Sequence, residues 1–371
     1  MGIIVESLVK RFDGRTIIDH VSFAIADGEL VSLLGPSGCG KTTTLRCIAG
    51  LETPEEGRIT IDGEVVFDHR AGIMLEPWHR SIGMVFQSYA IWPHLTVFEN
   101  VAFPLRVRRL SRMDITPRVT RALDMVGLGD LAERSAQLLS GGQQQRVAVA
   151  RAIVHSPSVL LFDEPLSNLD AKLRDQTRAE IRRLQRELNV ATVYVTHDQA
   201  EALSLSDRIL VMRDGVIRQS GTPQQIYGQP RDMFVADAVG SANFFDVDIR
   251  SITDDSLQGN APDGSTILAF GRATETGLAR VMVRPERLLI ATDRGAADSA
   301  TLNHLHGTVQ QRLYLGGHFE YVVAVGEIML RVFSSVEIAE QASVVVSFEP
   351  RDCIVVGSDE APSQGDVTTW A

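Results

Sequence analysis

The sequence has few cysteines and no long apolar run. Its 371 residues include three cysteines, Cys39, Cys47 and Cys353, an odd number without metal-ligand spacing. This pattern is typical of a reducing compartment and of cysteines that serve as small core or loop residues. No apolar run approaches the roughly 20 residues that a membrane-spanning helix needs, and the N-terminus lacks the apolar stretch of a signal peptide. Cytoplasm is the expected compartment, and any membrane association must come through a partner.

Positive charge is also scarce. The chain has 36 Lys and Arg against 47 Asp and Glu, which gives a net charge of −11. Proteins that bind the nucleic-acid backbone usually carry a basic excess, so the composition argues against nucleic acid as a partner without excluding a local basic patch. A hydrophobic content of 44% is ordinary for a globular protein. The length exceeds the usual domain of roughly 100–200 residues, which predicts two domains.

The first two thirds of the sequence alternates strand-like and helix-like patterns. Turn signals at Asp13-Gly14 and Asp62-Gly63 predict hairpins. Short apolar runs such as 159–162 predict buried parallel strands, and apolar residues spaced along 173–188 predict a helix between two of them. Strands alternating with helices indicate a doubly wound α/β core. We therefore expect a first domain at 1–240, with a helical subdomain at about 95–155.

The pattern changes at about Gly240. Residues 241–356 contain several β-like runs separated by Gly, Asp and Ser, with almost no helical periodicity. This predicts a small, barrel-like all-β domain. The remaining residues, 357–371, are expected to form a flexible tail.

A glycine-rich loop stands where a strand passes into a helix. The stretch GPSGCGKTT fits the G-x-x-x-x-G-K-[ST] pattern of a phosphate-binding loop. Glycines let successive backbone N–H groups turn towards phosphate oxygens, Lys41 can reach the β- and γ-phosphates, and Thr42 can coordinate Mg²⁺. The alternative is a glycine-rich turn with a solvated lysine. The candidate nucleotide ligands here are Gly35, Pro36, Ser37, Gly38, Cys39, Gly40, Lys41, Thr42 and Thr43.

Three further sites follow strand-like runs. Asp163 and Glu164 come directly after a buried strand, where Asp163 can hold Mg²⁺ and Glu164 can polarise an attacking water. His197 follows another strand at the edge where open α/β sheets bind ligands. Gln87 follows a third and could bind the metal or the water through its amide. An ordinary polar turn is the alternative for the carboxylates, and a helix-capping histidine is the alternative for His197.

The stretch LSGGQQQR forms a second candidate phosphate site. A predicted helix begins at its glycine pair, so free N–H groups and the positive end of the helix dipole face outward, and a serine hydroxyl is nearby. A tight helix cap explains the same residues without a ligand. The candidate ligands are Ser140, Gly141, Gly142 and Gln143. Phe12, at an early turn, could stack on adenine or could be a core residue.

The order and spacing of these motifs resemble the ATP-binding subunits of ATP-binding cassette (ABC) transporters over residues 1 to about 240. The resemblance implies a P-loop cassette, with antiparallel β and helical subdomains, that binds ATP and Mg²⁺ and hydrolyses ATP. It makes Phe12 the adenine-stacking aromatic, although many members have Tyr or Trp there. It implies Walker A at 35–43 and the D-loop at 167–170, where Asp170 could equally be a helix cap. The remaining implied roles are catalytic for Lys41, Gln87, Glu164 and His197, and metal-binding for Thr42, Gln87 and Asp163.

The resemblance also implies partners. Two copies pack head to tail, and LSGGQ of one copy closes over the ATP bound by the other. The segment 87–105 resembles the surface that grips membrane permease subunits, with Tyr89 and Trp92 exposed and core packing as the alternative for Phe98 and Phe103.

The C-terminal β domain, through 239–247 and 281–290, resembles the oligonucleotide-binding-like modules of importer ATPases and could be regulatory. This implies a peripheral protein on the cytoplasmic face of the inner membrane that works with a periplasmic solute-binding protein. Ferric iron or a polyamine is the favoured solute, and phosphonate or sugar remain alternatives. The competing hypothesis is a soluble ABC ATPase acting on nucleic acid or ribosomes.

Overall fold

The computed structural model describes residues 2–253, 256–270, 276–292 and 301–357. They form two compact units, of which the first ends at Ile226 and the second begins at Tyr227. This division precedes the change in sequence pattern at about Gly240. Residues 358–371, which make up almost all of the predicted tail, lie outside the described residues. Within the described ranges, no helix combines the length and apolar character that a bilayer span requires.

The first unit alternates strands and helices. In chain order they are β1 (Ile3–Phe12), β2 (Arg15–Ile25), β3 (Leu30–Leu34), α1 (Lys41–Ala49), β4 (Glu56–Ile61), β5 (Glu64–Asp68), β6 (Ile73–Met74), β7 (Ile82–Val85), α2 (Val97–Val107), α3 (Arg112–Met125), α4 (Gly141–Ile153), β8 (Val159–Asp163), α5 (Ala171–Leu188), β9 (Ala191–Thr196), α6 (Gln199–Leu205), β10 (Arg208–Arg213), β11 (Val216–Gly221) and α7 (Pro223–Gly228), whose last two residues belong to the second unit. Short 3-10 turns lie at Pro77–His79, Gly129–Leu131 and Ala136–Leu138.

The central sheet has the strand order β11-β10-β3-β9-β8-β7. All its neighbours pair in parallel except β11, which adds an antiparallel edge to β10. Every residue of β3, β8 and β9 is buried, because helices or a second sheet cover both faces. The carboxyl ends of β3, β9, β8 and β7 therefore meet along one edge of the sheet, where open α/β sheets bind ligands.

Strand β8 shows how the two faces are covered. Leu160 and Phe162 belong to a core shared with the helical segment α2–α4 and with α5. Val159 and Leu161 belong to a second core, shared with α1 and an antiparallel sheet of order β2-β1-β4-β5-β6. Successive side chains of a strand point to opposite faces, which explains the alternation.

The predicted hairpin turns of the antiparallel sheet are present. Asp13 and Gly14 have φ of 49° and 78°, and Asp62 and Gly63 have φ of 51° and 81°. Positive φ at both central residues is the requirement of the tight turn that matches strand twist, and it favours Asp-Gly. The chain therefore reverses after β1 and β4 where the sequence predicts.

The second unit is dominated by β-strands. After α8 (Met233–Ala238), its strands are β12 (Asn243–Ile252), β13 (Ser256–Asn260), β14 (Thr266–Phe270), β15 (Gly277–Val283), β16 (Leu289–Thr292), β17 (Asn303–Tyr314), β18 (Phe319–Val325), β19 (Ile328–Ser334), β20 (Ser343–Phe348) and β21 (Ile354–Val355), with 3-10 turns at Pro285–Arg287 and Pro350–Asp352. Strands β12-β13-β14-β21-β15 close a barrel, and β16-β20-β17-β18-β19 form a five-stranded sheet. Both contribute to one apolar core, in which the rings of Phe245 and Phe348 lie 6.4 Å apart.

The predicted fold class, an α/β cassette core followed by an all-β unit, is confirmed. Within the predicted helical subdomain at about 95–155, the structure has α2, α3 and α4, and residues 126–140 contain two 3-10 turns between α3 and α4. Strands β13, β14 and β19 were not predicted individually. They are short strands within the region predicted to be all β.

Candidate active site

The loop between β3 and α1 is shaped by glycines. Gly38 and Gly40 have φ of 82° and 103°, a conformation that favours glycine. A Cβ on Gly40 would lie 2.7 Å from the carbonyl oxygen of Ile17, and one on Gly35 would lie 2.2 Å from that of Met212. The backbone can therefore curl at the carboxyl end of β3 only with these glycines in place.

Lys41 lies inside this loop. Its side chain is buried, and Nζ donates to the carbonyl oxygens of Gly35, at 2.7 Å, and Pro36, at 2.9 Å. The Cys39 sulfur is 3.8 Å from the same nitrogen, and burial raises the pKa of the Cys39 thiol. The crest of the loop, at 36–38, is exposed. The ammonium thus lies beneath an open backbone cradle, where phosphate oxygens could replace the carbonyls as its acceptors.

Thr42 and Asp163 form a polar pair at the first turn of α1, beside the half-buried Thr43. The Thr42 hydroxyl donates to Oδ1 of Asp163 over 3.0 Å. Burial is the main cause that raises the pKa of Asp163, and the Thr42 hydrogen bond partly opposes it. A Mg²⁺ ion with bonds of about 2.0–2.1 Å and octahedral geometry separates adjacent ligand oxygens by about 3 Å. The pair therefore fits Mg²⁺, and the cation would offset the burial of the carboxylate.

Three side chains predicted to act together lie in contact. Oε2 of Glu164 is 3.1 Å from Nδ1 of His197 and accepts from Nε2 of Gln87 at 3.3 Å. Glu164 has φ of 45°, and its N–H donates to the carbonyl oxygen of Val195 in the neighbouring strand β9. A left-handed non-glycine residue at a strand end is strained, and its neighbours must hold it. The sheet edge thus places one carboxylate between an amide and an imidazole.

Asn168 adds a contact that sequence reasoning did not single out. Its Nδ2 donates to the carbonyl oxygen of Gln87 at 2.9 Å. Asp170, in the same loop, accepts from the N–H of Leu173 at 3.0 Å and so caps α5. The loop at 167–170 therefore joins the carboxyl end of β8 to that of β7, a link that its position in the sequence could not reveal.

Comparisons with known proteins decide the family. The ABC transporter family matches residues 18–167, and the TOBE domain family matches residues 281–356. The spermidine/putrescine import ATP-binding protein PotA of Salmonella typhimurium is 46% identical over 323 residues, which cover 86% of this chain and 83% of that protein. The PotA protein of Vibrio parahaemolyticus is 43% identical over 320 residues, covering 86% and 82%. This chain belongs to the ATP-binding subunits of ABC importers. As a member of this family it binds nucleotide and is an ATPase.

A solved structure shares the cassette fold of this ABC ATPase. The structure of cbiO1 from Clostridium perfringens, described as part of the ABC transporter complex cbiONQ, is similar with a TM-score of 0.56 and 30% identity. The similarity covers 61% of this chain and 90% of that one. The TOBE match falls in the β-rich second unit, as the resemblance implied.

Residues 140–143 of the LSGGQQQR motif, hereafter the signature turn, form the N-cap and first turn of α4. Ser140 Oγ accepts from the N–H of Gln143, and Gln143 Oε1 accepts from the N–H of Ser140, which together make a capping box. A Cβ on Gly142 would lie 2.8 Å from a methyl carbon of Leu173, whereas one on Gly141 would meet nothing closer than 3.6 Å. Gly142 is therefore needed for packing against α5. Gly141 has no such packing requirement.

The candidate adenine contact lies at the end of β1. Phe12 is 42% exposed, so its ring is available for stacking and is not a core residue. Nζ of Lys10 lies 4.7 Å from the ring centroid. The ring is therefore a candidate platform for a base, with the Lys10 ammonium over one of its faces.

Residues 87–105, the predicted permease surface, need two corrections. Tyr89 and Trp92 were both expected to be exposed, but Tyr89 is buried in the helical core and Trp92 is half-buried. Phe103, for which core packing was the alternative, is 40% exposed and stacks with the half-buried Trp92 at 4.3 Å, whereas Phe98 packs against the core. The positive φ of Tyr89, 61°, turns the chain and directs this side chain inward.

Arg151 was missed at the sequence level. It lies on α4 and is buried, and its guanidinium donates to the carbonyl oxygens of Tyr89 and Ala90 at 2.6 Å each. The available signal was a cation within the apolar stripe that includes Val147, Ala150 and Val154, because a buried arginine needs several acceptors.

Proposed function

We propose that this ABC ATPase powers the import of a polyamine such as spermidine or putrescine. The observation that carries this proposal is the identity of 43–46% to polyamine import proteins over a stretch that includes both units. Ferric iron, the other solute favoured from the sequence, has no corresponding support among these relatives. Partner proteins would select the solute, and this chain would hydrolyse the ATP that drives import.

For hydrolysis, Lys41 would exchange the carbonyl oxygens of Gly35 and Pro36 for β- and γ-phosphate oxygens. Thr42, Asp163 and the amide of Gln87 would hold Mg²⁺, which supplies charge neutralisation of the phosphates when bound. Glu164 would accept a proton from the attacking water, and His197 would hydrogen-bond the water or the γ-phosphate. Two observations support these roles. The Thr42 hydroxyl lies 3.0 Å from Oδ1 of Asp163, and the side chains of Gln87 and His197 both contact Oε2 of Glu164.

We further propose that two copies complete each other's ATP sites. The P-loop surrounds one side of a triphosphate, while the first turn of α4 presents a serine hydroxyl and an unhindered Gly141. In a head-to-tail dimer that turn would bind the γ-phosphate held by the partner's P-loop. ATP would join the two copies and hydrolysis would release them, which converts chemistry into movement.

The remaining partners follow from the transport role. The segment 87–105, with Trp92 and Phe103 paired near the surface, would contact a membrane permease. The subunit would be peripheral at the cytoplasmic face of the inner membrane. A periplasmic solute-binding protein would deliver the polyamine from the other side.

Uptake assays test the solute. A deletion strain would be complemented with the wild-type gene or with Glu164→Gln, and uptake of labelled spermidine, putrescine and ferric iron would be measured. We expect the wild-type gene alone to restore polyamine uptake, with iron uptake equal in all strains. Equal polyamine uptake with and without the gene, or restoration by E164Q, would contradict the proposal.

A further inference from the structure

The loop after Gln87 contains two consecutive left-handed residues. Tyr89 and Ala90 have φ of 61° and 47°. This conformation is unfavourable for residues other than glycine, and it rarely occurs twice in succession. Something outside the loop must therefore hold the backbone in this shape.

Arg151 restrains this loop from α4. Its two terminal nitrogens donate to the carbonyl oxygens of both left-handed residues at 2.6 Å, and its guanidinium lies 4.8 Å from the ring centroid of Trp92. Burial lowers the pKa of Arg151 to about 10, so the side chain still carries its charge at neutral pH. Within the described residues the Tyr89 hydroxyl has no hydrogen-bond partner, so that hydroxyl does not anchor the loop.

The far end of the loop has a second anchor. The fully buried Asn100 on α2 accepts from the N–H of Trp92 at 2.9 Å and donates to its carbonyl oxygen at 3.1 Å. The loop at 88–92 is thus fixed to α4 by a guanidinium and to α2 by an amide. Gln87, immediately before it, reaches the Glu164 carboxylate.

We propose that Arg151 is a positioning residue for hydrolysis, which fixes the strained loop and thereby the approach of Gln87 to Glu164. Arg151 lies on the same helix as the signature turn at Ser140. This inference rests on the proposed catalytic role of Gln87.

Arg80 offers a matched control. It is also buried, donates to the carbonyl oxygens of Cys47, Ile48 and Leu75, and has its pKa lowered to about 10 by burial. Within the described part of the chain, none of its hydrogen bonds involves residues 87–92. Arg80→Met and Arg151→Met therefore remove the same kind of buried group, and only the second removes a restraint on the loop.

The first measurement is kcat per ATP-binding site, obtained by titrating the binding sites of purified protein. We expect R151M to lower kcat on the order of 10- to 100-fold with little change in ATP affinity. R151K should be intermediate, because an ammonium cannot span both carbonyls with fork geometry. R80M should lower the melting temperature while kcat per site stays near wild type. Equal effects of R80M and R151M on kcat per site would overturn the proposal.

The second measurement is a double-mutant cycle with Ala90→Gly. Ala90 is exposed, and glycine adopts its backbone conformation without strain. If Arg151 acts by holding this conformation, R151M should reduce kcat severalfold less in the A90G background than in the native one. An identical loss in both backgrounds would contradict the mechanism. Gln87→Ala distinguishes the two proposals. Full activity of Q87A would refute the catalytic role of Gln87. Impaired activity of Q87A together with normal activity of R151M would refute only the role of Arg151.

Discussion

Nδ1 of His197 lies 3.1 Å from Oε2 of Glu164, at the carboxyl ends of two adjacent parallel strands. The amide of Gln87 reaches the same oxygen from a third strand. Glu164→Gln keeps the shape of this cluster but removes the basic carboxylate. We expect hydrolysis to fall by at least about 100-fold, because positioned general bases contribute on the order of 10²–10⁴-fold. ATP binding should persist, and an ATP-bound dimer should accumulate.

Steady-state hydrolysis, nucleotide binding and sedimentation check this prediction together. Glu187→Gln, the same change at an exposed site on α5, is the control for loss of charge. Wild-type turnover by E164Q would exclude Glu164 as the base.

Substitutions at Gly141 and Gly142 distinguish a role in packing from a role in ligand binding. Gly142→Ala places a Cβ 2.8 Å from Leu173, so we expect a loss of stability of about 1 kcal/mol, seen as a melting temperature a few degrees lower. Gly141→Ala meets no atom closer than 3.6 Å and should not lower the melting temperature. It should nevertheless impair ATP-dependent dimerisation, because the methyl group would face the partner's phosphate. ATP-dependent dimerisation of G141A at the wild-type level would favour the signature as a helix cap alone.

The buried carboxyl group of Glu201 should make the stability of the fold depend on pH. Its carboxylate is buried behind β9 and accepts from the hydroxyls of Tyr194, at 2.9 Å, and Thr196, at 2.8 Å. Burial is the largest cause that raises its pKa, and these hydrogen bonds only partly offset it. Since the folded-state pKa exceeds the unfolded value of about 4.3, the ionised form destabilises the fold, and the loss grows as the pH rises through that window.

Glu201→Gln should therefore raise the melting temperature at pH 8, with a smaller gain at pH 5. The glutamine oxygen can accept both hydroxyls, so the hydrogen bonds are retained. Glu187→Gln makes the same change at an exposed position and serves as the control. A lower melting temperature of E201Q at pH 8 would mean that the charged form stabilises the fold.

The exposed ring of Phe12 is expected to contribute to ATP affinity. Loss of an aromatic ring that stacks on a base costs about 1–3 kcal/mol of binding free energy, so Phe12→Ala should weaken ATP binding by about 5- to 150-fold. Phe12→Trp should retain the affinity because it retains the stacking surface. Trp78→Ala removes another exposed aromatic and serves as the control in fluorescence titrations. Equal ATP affinity of F12A and the wild type would remove Phe12 from the site.

Local patterns were sufficient to predict most of the cassette. The expected helix after the P-loop is α1 at Lys41–Ala49, and the apolar run at 159–162 is the buried strand β8. These elements could be predicted because hydrophobic periodicity, Asp-Gly turns and the glycines between a strand and a helix each depend on only a few neighbouring residues. The rule that open α/β sheets bind ligands at the carboxyl ends of their strands placed His197 at the site, whereas the role of Gln87 was implied only by the family resemblance.

Contacts between distant segments could not be predicted in this way. Tyr89 resembled an exposed partner contact until its left-handed backbone and Arg151 on α4 showed why the side chain turns inward. Gly142 resembled a ligand residue, and the nearness of Leu173 shows that packing also requires it. Each depends on the approach of elements that are far apart in the sequence, which no local pattern records.

In the proposed head-to-tail dimer, each ATP site would be built from two copies of the chain. Lys41→Ala damages the P-loop, and Gly141→Asp places a carboxylate where the γ-phosphate of the partner's ATP would lie. Each variant alone should be inactive, because every site in its homodimer contains one damaged half. A dimer of one K41A chain and one G141D chain would contain one site with both halves intact.

The decisive test of this shared site is a mixing experiment. Equimolar K41A and G141D are combined without nucleotide, Mg²⁺ and ATP are added, and ATPase activity is measured. Random pairing makes half of the dimers mixed, so about a quarter of the wild-type number of sites should be intact. We expect ATPase activity to appear in the mixture at roughly that level. A mixture as inactive as either variant alone would contradict it.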